Sequence, residues 1–320
     1  AGAALITACS GGDQNEPSDG DADADVEEDS DVLGDASDAD ADAGEELPDS
    51  WTLTANGITV AVERAPYGIS VRDHQGREVL SSIDSSRGDG YAPVSWTTGH
   101  IGWSHYVITP GHYTFTPELD PWREQWVVTE AVETDDALEL VLRAFNVGSD
   151  ATLRVRHILS ASTLRVEISV EGERPRAIAA SFVSPDDEGF LGMGERYTRT
   201  DFRGLDIYSW AEEGGVGAGE GEPPGPGNPG PNGESMTYYP VPFFVSTEGY
   251  GFWLDSTYRN EFNFASHHDD AWRVWDIGPS MAFEIYVPIP DDERPWPYHV
   301  IDLFTARTGR PMIPPAWTYG

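Results

Sequence analysis

The sequence predicts an all-β protein, a two-sheet antiparallel β-sandwich, on three observations. Leu164-Arg165-Val166-Glu167-Ile168-Ser169-Val170-Glu171 alternates apolar and polar residues, the period-two pattern of a strand with one buried face. Asp73-His74-Gln75-Gly76 parts Ile69-Ser70-Val71 from Val79-Leu80, a hairpin signal. Between Trp51 and Pro290 no stretch carries convincing helical periodicity, while short strand-like runs alternate with turn residues. Leu138–Arg143 repeats the alternation more loosely. The 11 Trp, 13 Tyr and 12 Phe supply aromatic mass for a large core.

Two segments of different character precede the sandwich. Residues 1–9 close on Ala4-Leu5-Ile6-Thr7-Ala8-Cys9, an apolar tail with small residues beside the chain's one cysteine. They read as a truncated lipoprotein signal segment and resemble a bacterial lipobox, which makes Cys9 the expected lipidation site. An ordinary signal-peptide tail with an incidental cysteine is the alternative. A lipid on Cys9 holds the protein to a membrane without spanning it. Ser10, where an Asp is absent, favours the outer membrane of a bacterial cell envelope by the same resemblance. No other run approaches about 18 consecutive apolar residues, so no second membrane segment is expected.

Residues 10–50 hold 17 acidic residues and no basic one. Such a segment cannot bury enough apolar surface to offset its chain entropy and is expected to be a disordered, charge-extended linker. Asp19-Gly20-Asp21-Ala22-Asp23-Ala24-Asp25 is similar to a calcium loop, but Ala24 stands where glycine is needed and Ser30 where glutamate is needed. The remaining 39 of 56 acids face only 19 basic residues, all arginine, in residues 51–320. A surface this acidic argues against nucleic acid as a partner.

The sandwich is expected over residues 51–290, interrupted by one insertion. Residues 214–233 contain nine Gly and five Pro, which no strand or helix interior tolerates, so they form a long loop. Their Gly-x-Gly spacings follow no βαβ pattern, and no cofactor is expected. Residues 291–320 are the expected connector into a further domain. They hold the one helical candidate, Tyr298–Thr308, with Val300, Ile301, Phe304 and Arg307 at helical spacing before Gly309 and Pro311. His267-His268-Asp269-Asp270 is the one cluster with metal-ligand chemistry. Neighbours on a strand point to opposite faces, so an exposed turn is expected there rather than a metal site.

The run Phe190-Leu191-Gly192-Met193-Gly194-Glu195-Arg196 opens a series of specific motifs. Asp201-Phe202-Arg203-Gly204, Trp210, and Pro242-Phe243-Phe244-Val245-Ser246-Thr247-Glu248-Gly249-Tyr250-Gly251 follow. Asp255, Phe262-Asn263-Phe264 and Thr308-Gly309-Arg310-Pro311-Met312-Ile313-Pro314-Pro315-Ala316-Trp317 complete it. In this order the series resembles glycoside hydrolase family 31, which includes α-glucosidases, α-xylosidases and sulfoquinovosidases. The resemblance implies a sandwich of galactose-mutarotase type packed on a (β/α)8 barrel that would begin after Trp317. It places both catalytic aspartates in that barrel, so no acid of this chain is nominated as nucleophile or general acid. Trp210-Ala211-Glu212-Glu213-Gly214-Gly215-Val216-Gly217 looks most like the sulfoquinovosidase-related branch, and the Gly/Pro-rich insert departs from it.

The resemblance further implies that a loop of the sandwich, here 197–235, reaches over the barrel mouth and shapes the sugar pocket. Trp210, Glu212, Glu213 and Arg203 are therefore the candidate substrate-binding residues. An indole face packs against the C–H face of a pyranose, carboxylates accept from hydroxyls, and a guanidinium fork donates to oxyanions or hydroxyls. Two readings stand for each of two residues: Trp210 lines the pocket or packs in the domain interface, and Arg203 meets the sugar or holds Asp201 or Glu195. The expected function is hydrolysis of an α-linked sugar or oligosaccharide with retention. A carbohydrate-binding or structural module is the alternative. A free-standing mutarotase-like epimerase is a third, disfavoured by the family-specific close at Pro314-Pro315.

Overall fold

The structure is a computed structural model. It describes residues 46–105, 113–124, 126–134, 137–144, 151–196, 199–211, 237–291, 293–310 and 312–319. Cys9, the linker 10–45 and the insert 214–233 lie outside them.

The chain begins with a four-stranded antiparallel meander, β1 (Ser50–Ala55), β2 (Ile58–Arg64), β3 (Tyr67–Arg72) and β4 (Glu78–Ser81). The expected hairpin joins β3 to β4, with Val71 opposite Leu80, and its turn closes through Asp73, whose carboxylate accepts from the Gln75 and Arg77 amides. After β5 (Ser95–Thr97) come the paired strands β6 (His100–His105) and β7 (Tyr113–Glu118) and the short β8 (Trp122–Arg123). Four long strands then run up and down: β9 (Trp126–Glu133), β10 (Ala137–Ala144), β11 (Thr152–Ser160) and β12 (Thr163–Glu171). Next are β13 (Ala177–Val183), β14 (Phe190–Gly194) and β15 (Leu205–Ser209). The last strands are β16 (Pro240–Ser246), β17 (Tyr250–Leu254), β18 (Asn260–His268), β19 (Ala271–Asp276) and β20 (Ser280–Tyr286).

Two antiparallel sheets make the sandwich. One has eight strands in the order β14-β16-β17-β20-β12-β11-β10-β9, and the other six in the order β15-β18-β19-β13-β5-β8. The alternation in Leu164–Glu171 does what it predicts: Leu164, Val166 and Ile168 are buried on β12 while Arg165 and Glu167 turn outward. Between the sheets lies an aromatic core. Phe182 stacks on Trp272 at 4.5 Å between centroids, and Phe244 stacks on Phe252 at 5.6 Å. Such pairs add about 0.5–1.5 kcal/mol each beyond their buried area. This is the two-sheet antiparallel sandwich that the sequence predicts.

The helical candidate is α1 (Trp296–Thr308), begun two residues earlier than expected because Pro295 and Pro297 suit a helix start. Its inner face is Trp296, Val300, Leu303 and Phe304, which pack on β16, β17 and β20; Phe304 stacks on Phe243 at 4.0 Å. Gly251 makes the approach feasible, since a Cβ there collides with Val300. Ile301, read from spacing as part of that face, is 43% exposed instead, one position off the stripe. Among the described residues no helix is long and apolar enough to cross a membrane.

Candidate functional site

The first motif of the series is a distortion that the backbone requires. Gly192, Met193 and Gly194 all have positive φ, at 138°, 64° and 83°, and the β14–β16 register slips between Gly192 and Gly194. A Cβ at Gly192 would lie 2.6 Å from the Phe243 carbonyl oxygen, and one at Gly194 collides with the Tyr239 carbonyl. Met193, between them, is fully buried in the core, which holds its unusual φ in place. The bulge re-aims the chain as it leaves the sheet.

Hydrogen bonds then fix the base of the loop that follows. The Glu195 amide donates to the Tyr239 carbonyl at 3.0 Å, and the Thr237 hydroxyl donates to the Glu195 carbonyl at 2.5 Å. Arg196 donates from Nε to the Met193 carbonyl and from Nη2 to the Tyr208 carbonyl, both at 3.0 Å. Burial lowers its guanidinium to about 10, which leaves it charged at neutral pH. Asp201 Oδ1 accepts from the Phe190 and Arg203 amides, each at 3.0 Å.

Arg203 is a clamp between loops. Its Nη1 donates to the Ser184 hydroxyl at 2.8 Å and the Glu188 carbonyl at 3.2 Å, and its Nη2 to the Asp269 carbonyl at 2.6 Å. The side chain is bonded to neither Asp201 nor Glu195; only its backbone amide meets Asp201. Trp210 stands just past β15, half-buried, with the Phe115 ring edge-on at 5.2 Å. Glu212 and Glu213 lie outside the described residues. Of the candidate set, then, the structure places Trp210 at the outer end of the braced segment and Arg203 at its root.

Residues that sequence reasoning missed surround Trp210's support. On the face of the six-stranded sheet turned away from the core, Asp206, Asn263 and Arg273 are register partners on β15, β18 and β19, as are Tyr208, Glu261 and Trp275. Asn263 donates to Asp206 at 2.7 Å and Glu261 at 3.0 Å, and accepts from Arg273 Nε at 3.0 Å. Burial works to raise the Asp206 carboxyl, but hydrogen bonds from Ser266 and Asn263 and the nearby His267 ring hold it below the ordinary range. Arg259 pairs with Glu261 at 3.3 Å and sits over Phe115, Tyr208 and Trp275 at 4.6, 5.0 and 5.4 Å. The alternation of Glu261 and Asn263 with Phe262 and Phe264 was the available signal.

The histidine pair departs from expectation. Ala265 has φ of 52° and the β18–β19 register slips between Asn263 and His268, so the strand bends. Both rings therefore approach Tyr91, at 6.0 Å for His267 and 4.5 Å for His268. His267 Nε2 meets Asp206 Oδ2 at 3.1 Å, and Asp270 pairs with Arg87. Among the described residues no three His, Cys, Asp or Glu side chains converge as a metal site does.

Comparison with known proteins places this architecture. The family model of the glycosyl hydrolase 31 N-terminal galactose mutarotase-like domain matches residues 15–263. An alpha-xylosidase, XylQ of Lactiplantibacillus pentosus, is 29% identical over 135 residues, which cover 42% of this chain and 15% of the relative. An alpha-xylosidase of Emericella nidulans is 23% identical over 269 residues, covering 77% of this chain and 32% of the relative. The chain thus spans about a third or less of these relatives. Among solved structures, a family 31 sulfoquinovosidase from E. rectale in complex with an aza-sugar inhibitor superposes with a TM-score of 0.62 at 16% identity. That match covers 84% of this chain and 36% of the other, a likeness of fold. With its sandwich, its bulged Gly-Met-Gly strand and a family match across most of its length, this chain belongs to the glycosyl hydrolase 31 N-terminal galactose mutarotase-like domain family.

Proposed function

We propose that this chain is the N-terminal domain of a retaining α-glycosidase, in which it supports a catalytic (β/α)8 barrel and lends one wall of the sugar pocket. The observation that carries the reading is the family match over residues 15–263. The relatives named above as alpha-xylosidases and the inhibitor-bound sulfoquinovosidase point to an α-linked sugar or oligosaccharide as the substrate class. Two barrel carboxylates about 5–5.5 Å apart would perform the displacement and protonate the leaving oxygen. The sandwich's own contribution is position. The Gly-Met-Gly bulge, Arg196, Asp201 and Arg203 brace the segment that ends at Trp210, whose ring offers an apolar face to a pyranose. Glu212 and Glu213 are proposed to accept from sugar hydroxyls. The outer side of α1, where Tyr298 and Ile301 are exposed, is the proposed seat of the barrel.

The test is a side-by-side hydrolysis assay of this chain and the full-length gene product on aryl α-glucoside, α-xyloside and α-sulfoquinovoside. Turnover in the full-length product alone is the expected result. Turnover by this chain alone would place a catalytic pair in the sandwich and end the proposal. Lipid anchoring at Cys9 is proposed with it: Cys9→Ala should move the protein from membrane to soluble fractions, and a variant that stays with the membrane contradicts the anchor.

A further inference from the structure

Arginines in this chain are rarely left alone. Acids outnumber arginines by 39 to 19 across residues 51–320, and the described arginines are held almost throughout. Arg123 pairs with Glu173 at 3.1 Å, for example, and Arg203 is held by a hydroxyl and two carbonyls. Arg174 and Arg176 break the pattern: among the described residues neither guanidinium has a hydrogen-bond or ion-pair partner. The nearest acid in sequence, Glu173, is already engaged by Arg123. Both free arginines line the same cavity, of about 250 Å³.

The cavity is assembled where four connections meet at one end of the six-stranded sheet. Thr98 follows β5, the two arginines lie between β12 and β13, Tyr258 lies between β17 and β18, and Pro279 lies between β19 and β20. These connections are bonded to one another: the Arg176 amide donates to the Thr97 carbonyl at 2.6 Å, and the Ile277 amide to the Arg259 carbonyl at 3.3 Å. Pro175 is buried, and Tyr258 is half exposed, its amide held by the Ser256 hydroxyl. The backbone of the walls is thus fixed before anything enters.

We infer that this cavity binds an acidic sugar unit of a glycan, with Arg174 and Arg176 on its carboxylate or sulfate and Tyr258 against its ring. Two like charges lining one cavity, with no carboxylate in that lining, are stabilised when an oxyanion comes between them. The tyrosine ring and the exposed Pro279 add an apolar surface that a bare inorganic anion cannot use but the C–H face of a sugar can. The sugar part of the inference rests on the glycosidase-domain reading. Among the described residues, its lining takes none from the segment 197–235.

The experiment is calorimetric titration of this 320-residue chain, without turnover, so the outcome does not depend on the hydrolysis assay. The probes are tetragalacturonate, maltotetraose and sodium sulfate, at low salt and in 0.5 M NaCl. Tetragalacturonate is expected to bind at least tenfold more tightly than maltotetraose, and to weaken in high salt as a charge contact should. Arg174→Ala with Arg176→Ala should abolish that preference without changing the melting temperature, since both side chains are solvent-facing. Tyr258→Ala should weaken tetragalacturonate several-fold and leave sulfate unaffected. Equal binding of the acidic and neutral oligosaccharides overturns the inference, as does uronate binding that survives the double substitution. Sulfate that binds as tightly as tetragalacturonate overturns it too, by showing an anion site with no use for the sugar.

Discussion

Both large sheets carry arginines and acids on the face turned away from their shared core, and the two faces treat them differently. On the eight-stranded sheet Arg154 bridges Glu139 at 2.5 Å and Glu171 at 3.0 Å, with its side chain 40% exposed. On the six-stranded sheet Arg259 meets Glu261 at 3.3 Å, but with side chains 6% and 17% exposed, under Phe115 from β7. The first is a solvated ladder, in which water screens each pair and substitutes for a lost partner. The second is a buried network, in which a lost partner leaves a charge with nothing to replace it. Similar residues thus decorate one sheet and hold the other together, and the difference is what lies on top. The β6–β7 pair packs on the six-stranded sheet, and Trp210 rests against that cover through Phe115.

Substitutions should separate the two faces, with the largest effect under the cover. Arg259→Ala removes a buried cation from among three rings and leaves the Glu261 carboxylate with the neutral Asn263 amide; urea unfolding should show a loss of about 3–5 kcal/mol. A loss under 1 kcal/mol would mean that the network is solvated after all. The next effect depends on pH. Asp276, on β19 of the same sheet, is 1% exposed, and burial pushes its carboxyl up to about 6. The folded chain therefore holds that proton more tightly than the unfolded chain, an advantage complete below pH 4 and lost as pH rises through 6. Asp276→Asn, neutral at every pH, should gain on the parent by about 3 kcal/mol between pH 4 and 7.5. Urea melts at the two pH values read it, and a difference that stays flat refutes the assignment. The smallest effect belongs to the exposed ladder: Arg154→Ala should cost no more than about 1 kcal/mol, and less in high salt.

What was legible in the sequence follows the same division. Local patterns read true: the alternation of Leu164–Glu171, the turn at Asp73–Gly76, and the helix near Tyr298, whose start only the paired prolines shifted. The Gly-Met-Gly motif was legible as a family mark, but its cause, three successive positive φ values against β16, needs the partner strand. The Arg259 box was not legible, because Phe115, Tyr208 and Trp275 come from distant parts of the chain. At the histidine pair the exposed turn at Asp269 and Asp270 was legible, but the bend at Ala265 that brings both rings to Tyr91 was not. Arg203 looked like a ligand or an ion-pair partner, yet its bonds go to a hydroxyl and to carbonyls that carry no mark in a sequence.

We propose that a braced segment of this sandwich forms one wall of a sugar pocket, with Trp210 as its point of contact. The most direct measurement is kcat/KM of the full-length gene product, with and without Trp210→Ala, on its preferred aryl α-glycoside. Loss of a ring that packs on the sugar should lower kcat/KM by about 10- to 100-fold while the melting temperature stays within a few degrees. An unchanged kcat/KM, or a loss matched by a collapse in melting temperature, would make Trp210 a packing residue and contradict the account.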